Sequence, residues 1–117
     1  MLLVDTSVWI AHLRHGDAPL VQALERGDVL THPFVIGELA CGSLRNRRSL
    51  LDELQRLPQA TLAEHAEVLH LIERFQLAGT GIGWTDAHLL ASARLSPASL
   101  YTHDAALERA WQRLRRA

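Results

Sequence analysis

Short apolar runs alternate along the chain with longer segments in which apolar residues recur every three or four positions. The runs at 2–4, 29–31, 60–62 and 99–102 are too brief for helices and are bounded by polar or turn residues, so the pattern predicts four strands. The segments at 7–13, 18–25, 34–42, 48–57, 64–77, 85–94 and 105–114 have helical periodicity. Their punctuation agrees: Pro33 stands early in the third, Pro58 follows the fourth, and the spacing of Thr61 and Glu64 matches a capping box before the fifth. Strands that alternate with helices pair in parallel through right-handed crossovers, and the resulting sheet is covered on both faces. The expected architecture is therefore α/β, a three-layer α/β/α sandwich around a central, mostly parallel sheet of four short strands, or five.

Composition narrows this picture. A chain of 117 residues, 48% hydrophobic, is long enough for one compact domain and leaves no room for a second; such a domain buries roughly 65% of its unfolded surface. Asp5 interrupts the opening apolar run and no basic region precedes it, so no signal peptide is expected. No apolar segment approaches the ~20 residues that span a bilayer, and the expectation is a soluble, cytoplasmic protein without membrane contact. The lone Cys41 has no partner for an internal disulfide, and its apolar surroundings suggest a small buried packing residue.

The net charge of −1 supplies no overall attraction to nucleic acid. All twelve basic residues are arginine, grouped at Arg45, Arg47 and Arg48 and again at Arg109, Arg113, Arg115 and Arg116. Guanidinium forks suit phosphate, and a merely solvated face accounts for them equally. The glycine-rich stretch "QLAGTGIGW" (76–84) lacks both the lysine and the preceding strand of a phosphate-binding loop, and reads as a connection into the sixth helix.

Four carboxylates stand out. Asp5 and Asp104 each follow a predicted strand, and ligands of open parallel sheets bind at the carboxyl ends of strands. Taken singly, each is explained as a helix cap, and Asp86 as an acid in a first helical turn. Glu38 lies mid-helix in "HPFVIGELACG", among apolar and small residues. A glutamate there must meet a cation, accept a proton or face a cleft, and a salt bridge to an arginine is the plain alternative. Crossover topology brings all four acids to one rim. Clustered carboxylates repel one another unless a cation is bound, and an all-oxygen donor set points to a hard ion, Mg²⁺ or Mn²⁺. Asp5 would then serve the ion while Thr6 and Ser7 cap the helix and orient the carboxylate.

With these residues in view, the chain resembles the PIN-domain ribonucleases, in particular the VapC-type toxins of bacterial toxin–antitoxin pairs. The resemblance rests on "VDTSVWI" at the start, "HPFVIGELACG" around Glu38, "GIGWTDAHLLASA" around Asp86 and "LYTHD" with Thr102 and Asp104, and it covers nearly the whole chain. It implies an endoribonuclease dependent on Mg²⁺ or Mn²⁺, with Asp5, Glu38, Asp86 and Asp104 as catalytic and metal-binding acids and Thr6, Ser7 and Thr102 as supporting polar residues. It further implies products with a 5′-phosphate and a 3′-hydroxyl, a homodimer, and a cognate VapB-type antitoxin whose C-terminal segment covers the cleft. Where many relatives continue into a further short strand, this chain ends on "RLRRA", which bears on the edge of the sheet and not on the acids.

An acidic cleft repels a polyanion and needs cations at its rim. Arg14, Arg47 and Arg48 are the candidates for RNA contacts. An equal reading gives some of these arginines, with Trp9, to a dimer or antitoxin surface. A phospho-receiver domain also places acids at strand ends, but it uses a lysine, and this chain has none. A metal-free ribonuclease could draw on His12, His88 or His103 as acid and base, although solvated or supporting positions explain them as well. A PIN-like module that binds RNA or protein without cutting is the remaining alternative, and it gives no reason for all four acids.

Overall fold

The computed structural model describes all 117 residues. In chain order the elements are β1 (Leu2–Val4), α1 (Thr6–His15), α2 (Ala18–Glu25), β2 (Val29–Leu30), α3 (Pro33–Cys41), α4 (Arg47–Arg56), α5 (His65–Arg74), α6 (Trp84–Leu95), β3 (Ser99–Tyr101) and α7 (Ala105–Arg116). The three strands are parallel in the order β2–β1–β3, with Leu2 opposite both Val29 and Ser99, and Leu3 opposite both Leu30 and Leu100. Successive strand residues point to opposite faces. Leu3 and Val4 are both fully buried, so both faces of the central strand are sealed. The chain leaves β1 toward β2 on one side and later returns to β3 on the other, which makes the carboxyl end of β1 the switch point where an open sheet leaves a crevice.

The sheet has three strands rather than the four or five expected. In place of a strand at 60–62 there is one bridge just before it, Thr31 opposite Gln59, held by Thr31 N–H to Pro58 O (2.9 Å) and Ala60 N–H to Thr31 O (2.9 Å). The ladder stops there because the next amide, Thr61 N–H, turns instead to Ser96 Oγ (2.8 Å) and Leu62 faces solvent. Helix α5 also starts differently. Glu64 is its N-cap, and Glu67 Oε1 reaches back to accept from Glu64 N–H (2.8 Å), so the capping partner lies downstream of Glu64 and not at Thr61. At the other end Gln76 adopts φ 54°, and Leu77 N–H and Gln76 N–H donate to Ile72 O and Glu73 O. That Schellman-type closure ends the helix three residues early and still delivers Phe75 and Leu77 to the core.

Helix α6 is the buried axis of the molecule. Every residue from Ala87 to Ala93 is buried, as expected for a helix packed on all sides, and it touches α5, α7 and β3. Its rigidity matters because Asp86 stands at its start. Cys41, expected in the core, is exposed instead: the face of α3 turned inward carries Val35 and Leu39, and Cys41 is its last residue.

Between β2 and α3, His32 is almost wholly buried (1% exposed) and caps the helix, its Nδ1 accepting from Phe34 N–H at 3.0 Å while Nε2 meets no partner. Burial, with a smaller contribution from nearby His88, pushes its pKa down to about 4 from 6.5. A histidine that titrates lower in the fold than in the unfolded chain stabilises fully above pH 6.5 and loses that contribution as pH falls toward 4, since the unfolded state takes up the proton first. The loss is about 3 kcal/mol at 1.36 kcal/mol per pH unit. Urea unfolding at pH 7 and pH 4.5 should show most of this drop in wild type. It should be much smaller in His32→Asn, whose side chain can still cap the helix; parallel profiles would contradict the assignment.

Candidate active site

Asp5 follows β1 directly. Its backbone N–H continues the ladder to Tyr101 O (2.9 Å), and it occupies the N-cap position of α1, yet its side chain caps nothing. Instead Oδ2 accepts from two hydroxyls, Ser7 Oγ and Thr102 Oγ1, each at 2.7 Å. Those oxygens in turn accept from the amides of His103 and Asp104, both at 3.0 Å. The start of α1 is thereby fastened to the β3–α7 turn, and a carboxylate only 6% exposed is held in one orientation.

Asp104 is a true cap, its Oδ1 accepting from Leu107 N–H at 2.9 Å. Asp86, in the first turn of α6, accepts from Gly83 N–H through Oδ2 at 3.1 Å. Glu38 is exposed on α3 and its Oε1 accepts from Thr6 Oγ1 at 2.8 Å. No arginine pairs with it: the ion pairs of the molecule are Arg26–Asp28 and His103–Asp17. In all four acids one oxygen is fixed by a protein donor, while Asp5 Oδ1, Glu38 Oε2, Asp86 Oδ1 and Asp104 Oδ2 engage none. Three of the four stand at helix N-termini, whose partial positive charge offsets some of their repulsion.

The Asp86 carboxyl titrates above the usual range. Burial is the largest cause, the Gly83 amide opposes it, and the negative charges of Asp5, Asp104 and Glu38 add to it. The four acids thus lie within electrostatic reach of one another, although no three side chains close to the spacing at which they would grip one ion directly. That donor set suits Mg²⁺ or Mn²⁺. Such hard ions take oxygen ligands, and Mg²⁺ commonly binds through one or two carboxylates and retains several waters.

The supporting residues Thr6, Ser7 and Thr102 all touch these acids. The three arginines are placed differently. Arg14 sits in the last turn of α1, nine residues from Asp5 and so about 13 Å along the helix. Arg47 donates from Nε and Nη2 to Ala40 O (2.9 and 2.8 Å), which ties the start of α4 to the end of α3. Arg48 is exposed with no protein acceptor.

Sequence reasoning missed Asp17. Its Oδ1 accepts from Tyr101 Oη (2.7 Å) and Leu20 N–H (3.0 Å), and its Oδ2 pairs with His103 Nε2 (2.8 Å). Burial raises the Asp17 pKa, but these donors outweigh it and hold the carboxyl below its ordinary value. Burial and the adjacent carboxylate push Tyr101 up to about 12. Asp17 clamps the residues on either side of Thr102. The contact spans 84 residues to Tyr101 and 86 to His103, so periodicity could not reveal it.

A parallel sheet with carboxylates gathered at the carboxyl end of its central strand, oriented by hydroxyls, defines the PIN class of α/β proteins. Residues 2–111 match the PIN domain family, and the chain belongs to it. The chain is similar to the protein named Ribonuclease VapC32 from Mycobacterium tuberculosis (strain ATCC 25618 / H37Rv), with 49% identity over 111 residues that cover 94% of this chain and 90% of that protein. The same figures hold for Ribonuclease VapC32 of strain CDC 1551 / Oshkosh.

Proposed function

We propose that this protein is an endoribonuclease dependent on Mg²⁺ or Mn²⁺, the toxin of a VapBC-type toxin–antitoxin pair. The observation that carries the reading is the pairing of roles within each carboxylate, one oxygen oriented by the fold and the other left for a ligand. The 49% identity to Ribonuclease VapC32 over nearly the whole chain supports the substrate class. When bound among Asp5, Glu38, Asp86 and Asp104, a divalent cation supplies the charge that lets a phosphodiester approach four acids and eases ionisation of the attacking water. Ser7 and Thr102 fix Asp5 and Thr6 fixes Glu38, so that each would present its other oxygen to the cation, and Asp86 and Asp104, each held by a backbone amide, would complete the set. Hydrolysis then leaves a 5′-phosphate and a 3′-hydroxyl.

The same reading gives the protein a VapB-type antitoxin that covers the cleft, a homodimeric state, a single PIN domain over residues 1–117 and a cytoplasmic location. No helix is long and apolar enough to cross a membrane. Antitoxin-free protein incubated with total bacterial RNA and Mn²⁺ or Mg²⁺ should produce discrete cuts whose new ends carry 5′-phosphates, and EDTA should abolish them. Cutting that persists in EDTA would favour the histidine mechanism. RNA binding without cutting would favour the non-catalytic module.

A further inference from the structure

The Asp17 carboxylate makes more bonds than a helix cap requires. It stands at the N-cap of α2, and capping engages only Oδ1, which accepts from Leu20 N–H at 3.0 Å. Serine caps a helix about as well as aspartate. The same Oδ1 also accepts from the Tyr101 hydroxyl at 2.7 Å, and Oδ2 pairs with His103 Nε2 at 2.8 Å. The side chain is 9% exposed and both oxygens are taken by protein groups. Each of the four acids keeps one oxygen free for a ligand, whereas Asp17 keeps none.

Its two distant partners flank the residue that holds the acids. Alternate residues of an extended chain point to opposite sides. Tyr101 and His103 both reach Asp17, while Thr102 between them reaches Asp5 Oδ2 at 2.7 Å. The Tyr101 and His103 rings also meet edge to face with centroids 5.4 Å apart, so the two arms of the clamp support each other. From these arms two routes lead to Asp5. Tyr101 O accepts from Asp5 N–H at 2.9 Å, which fixes the backbone of the acid. His103 N–H donates to Ser7 Oγ at 3.0 Å, and that hydroxyl donates to Asp5 Oδ2 at 2.7 Å. Thr102 Oγ1 accepts from Asp104 N–H at 3.0 Å, which carries the constraint to a second acid.

We propose that Asp17 is a positioning residue of the active site. Through Tyr101 and His103 it holds the turn after β3 where Thr102 and Ser7 orient Asp5 and where Asp104 opens α7. This rests on the ribonuclease reading and adds to it a fifth acid that acts only through the others. Groups that orient a ligand without touching the ion matter on a known scale: their loss lowers metal affinity or activity about 10–100-fold.

The test compares wild type with Asp17→Ser, Asp17→Asn and Tyr101→Phe. Mn²⁺ affinity is read from the resonance of the free ion, kcat and KM from an RNA oligonucleotide that spans a mapped cut, and stability from thermal melts. Asp17→Ser keeps the cap of α2 and loses both arms; it should bind Mn²⁺ more weakly and lower kcat, each by about tenfold or more, with KM for RNA little changed. Asp17→Asn should recover most of both, because its amide still accepts from Leu20 and Tyr101 and can donate to a neutral His103 ring. Tyr101→Phe leaves the cap intact and removes one arm, so a smaller loss of the same kind is expected. Adding it to Asp17→Ser should cost nothing further, since both act by one route. Pro19→Gly, at an exposed position in the first turn of α2, loosens that helix without touching the clamp and should leave Mn²⁺ affinity and kcat as they are. Wild-type affinity and kcat in Asp17→Ser overturn the positioning role and leave the nuclease standing. Losses that Pro19→Gly reproduces at an equal fall in melting temperature assign Asp17 to the stability of α2 alone and also overturn it. Wild-type protein that neither takes up Mn²⁺ nor cuts RNA overturns both readings.

Discussion

Replacing Asp86 by asparagine is expected to lower RNA cleavage by at least about a hundredfold, the cost of removing one preorganised charged group from a reacting centre, while the protein melts no earlier than wild type. The amide oxygen can still accept from Gly83 N–H, so the first turn of α6 keeps its closure. What disappears is the anionic oxygen that would meet a cation. Stability should hold or rise for a separate reason. The Asp86 carboxyl is pushed up by burial and by three neighbouring carboxylates; a carboxyl whose pKa is higher folded than unfolded weakens the fold at neutral pH, and its removal relieves that penalty. Cleavage rates beside thermal melts separate the two effects. An active variant would remove Asp86 from the proposed chemistry, and an unfolded one would contradict the repulsion argument.

The second large effect is expected from Thr102→Val. The Thr102 hydroxyl is buried, donates to Asp5 Oδ2 and accepts from Asp104 N–H, so one group orients two of the four acids. Valine keeps the shape, leaves Asp104 N–H without its acceptor and reduces Asp5 Oδ2 to the single bond from Ser7. Leaving buried polar groups unpaired costs about 1–3 kcal/mol, and the loss of an outer group that orients a ligand lowers activity by about 10–100-fold. Thr102→Ser should recover most of both, since the oxygen is restored and only a methyl is lost. A melting temperature and a cleavage rate that match wild type in Thr102→Val would show that Ser7 alone suffices to hold Asp5.

Much of this site was legible in the sequence because it is built from local rules. Three acids stand at strand ends or helix starts, where the order of elements alone brings them to one rim, and Glu38 was conspicuous as a charge among apolar neighbours. The helices were readable for the same reason: their periodicity is local. The failures share a different origin. The run at 60–62 looks like a strand, but a strand needs a continuing partner, and the amide of Thr61 is taken by Ser96, 35 residues away. Cys41 was judged by the apolar character of its segment, whereas its exposure depends on which face of α3 turns inward. The Asp17 clamp is assembled from distant segments and has no signature in any single stretch. Arg47 reads as a free cation in the sequence and is occupied by the carbonyl of Ala40 in the fold.

The central claim is that four carboxylates act as one cation-dependent site, and uptake of Mn²⁺ tests it without any assumption about the RNA. Free Mn²⁺ would be followed by its electron paramagnetic resonance signal during titration into wild type, Asp86→Asn and a control variant, Glu25→Gln, on the exposed end of α2. Wild type and the control should withdraw the ion alike, and Asp86→Asn should bind about tenfold or more weakly, the scale on which ligand-set changes alter metal affinity. Equal uptake by all three proteins would contradict the account.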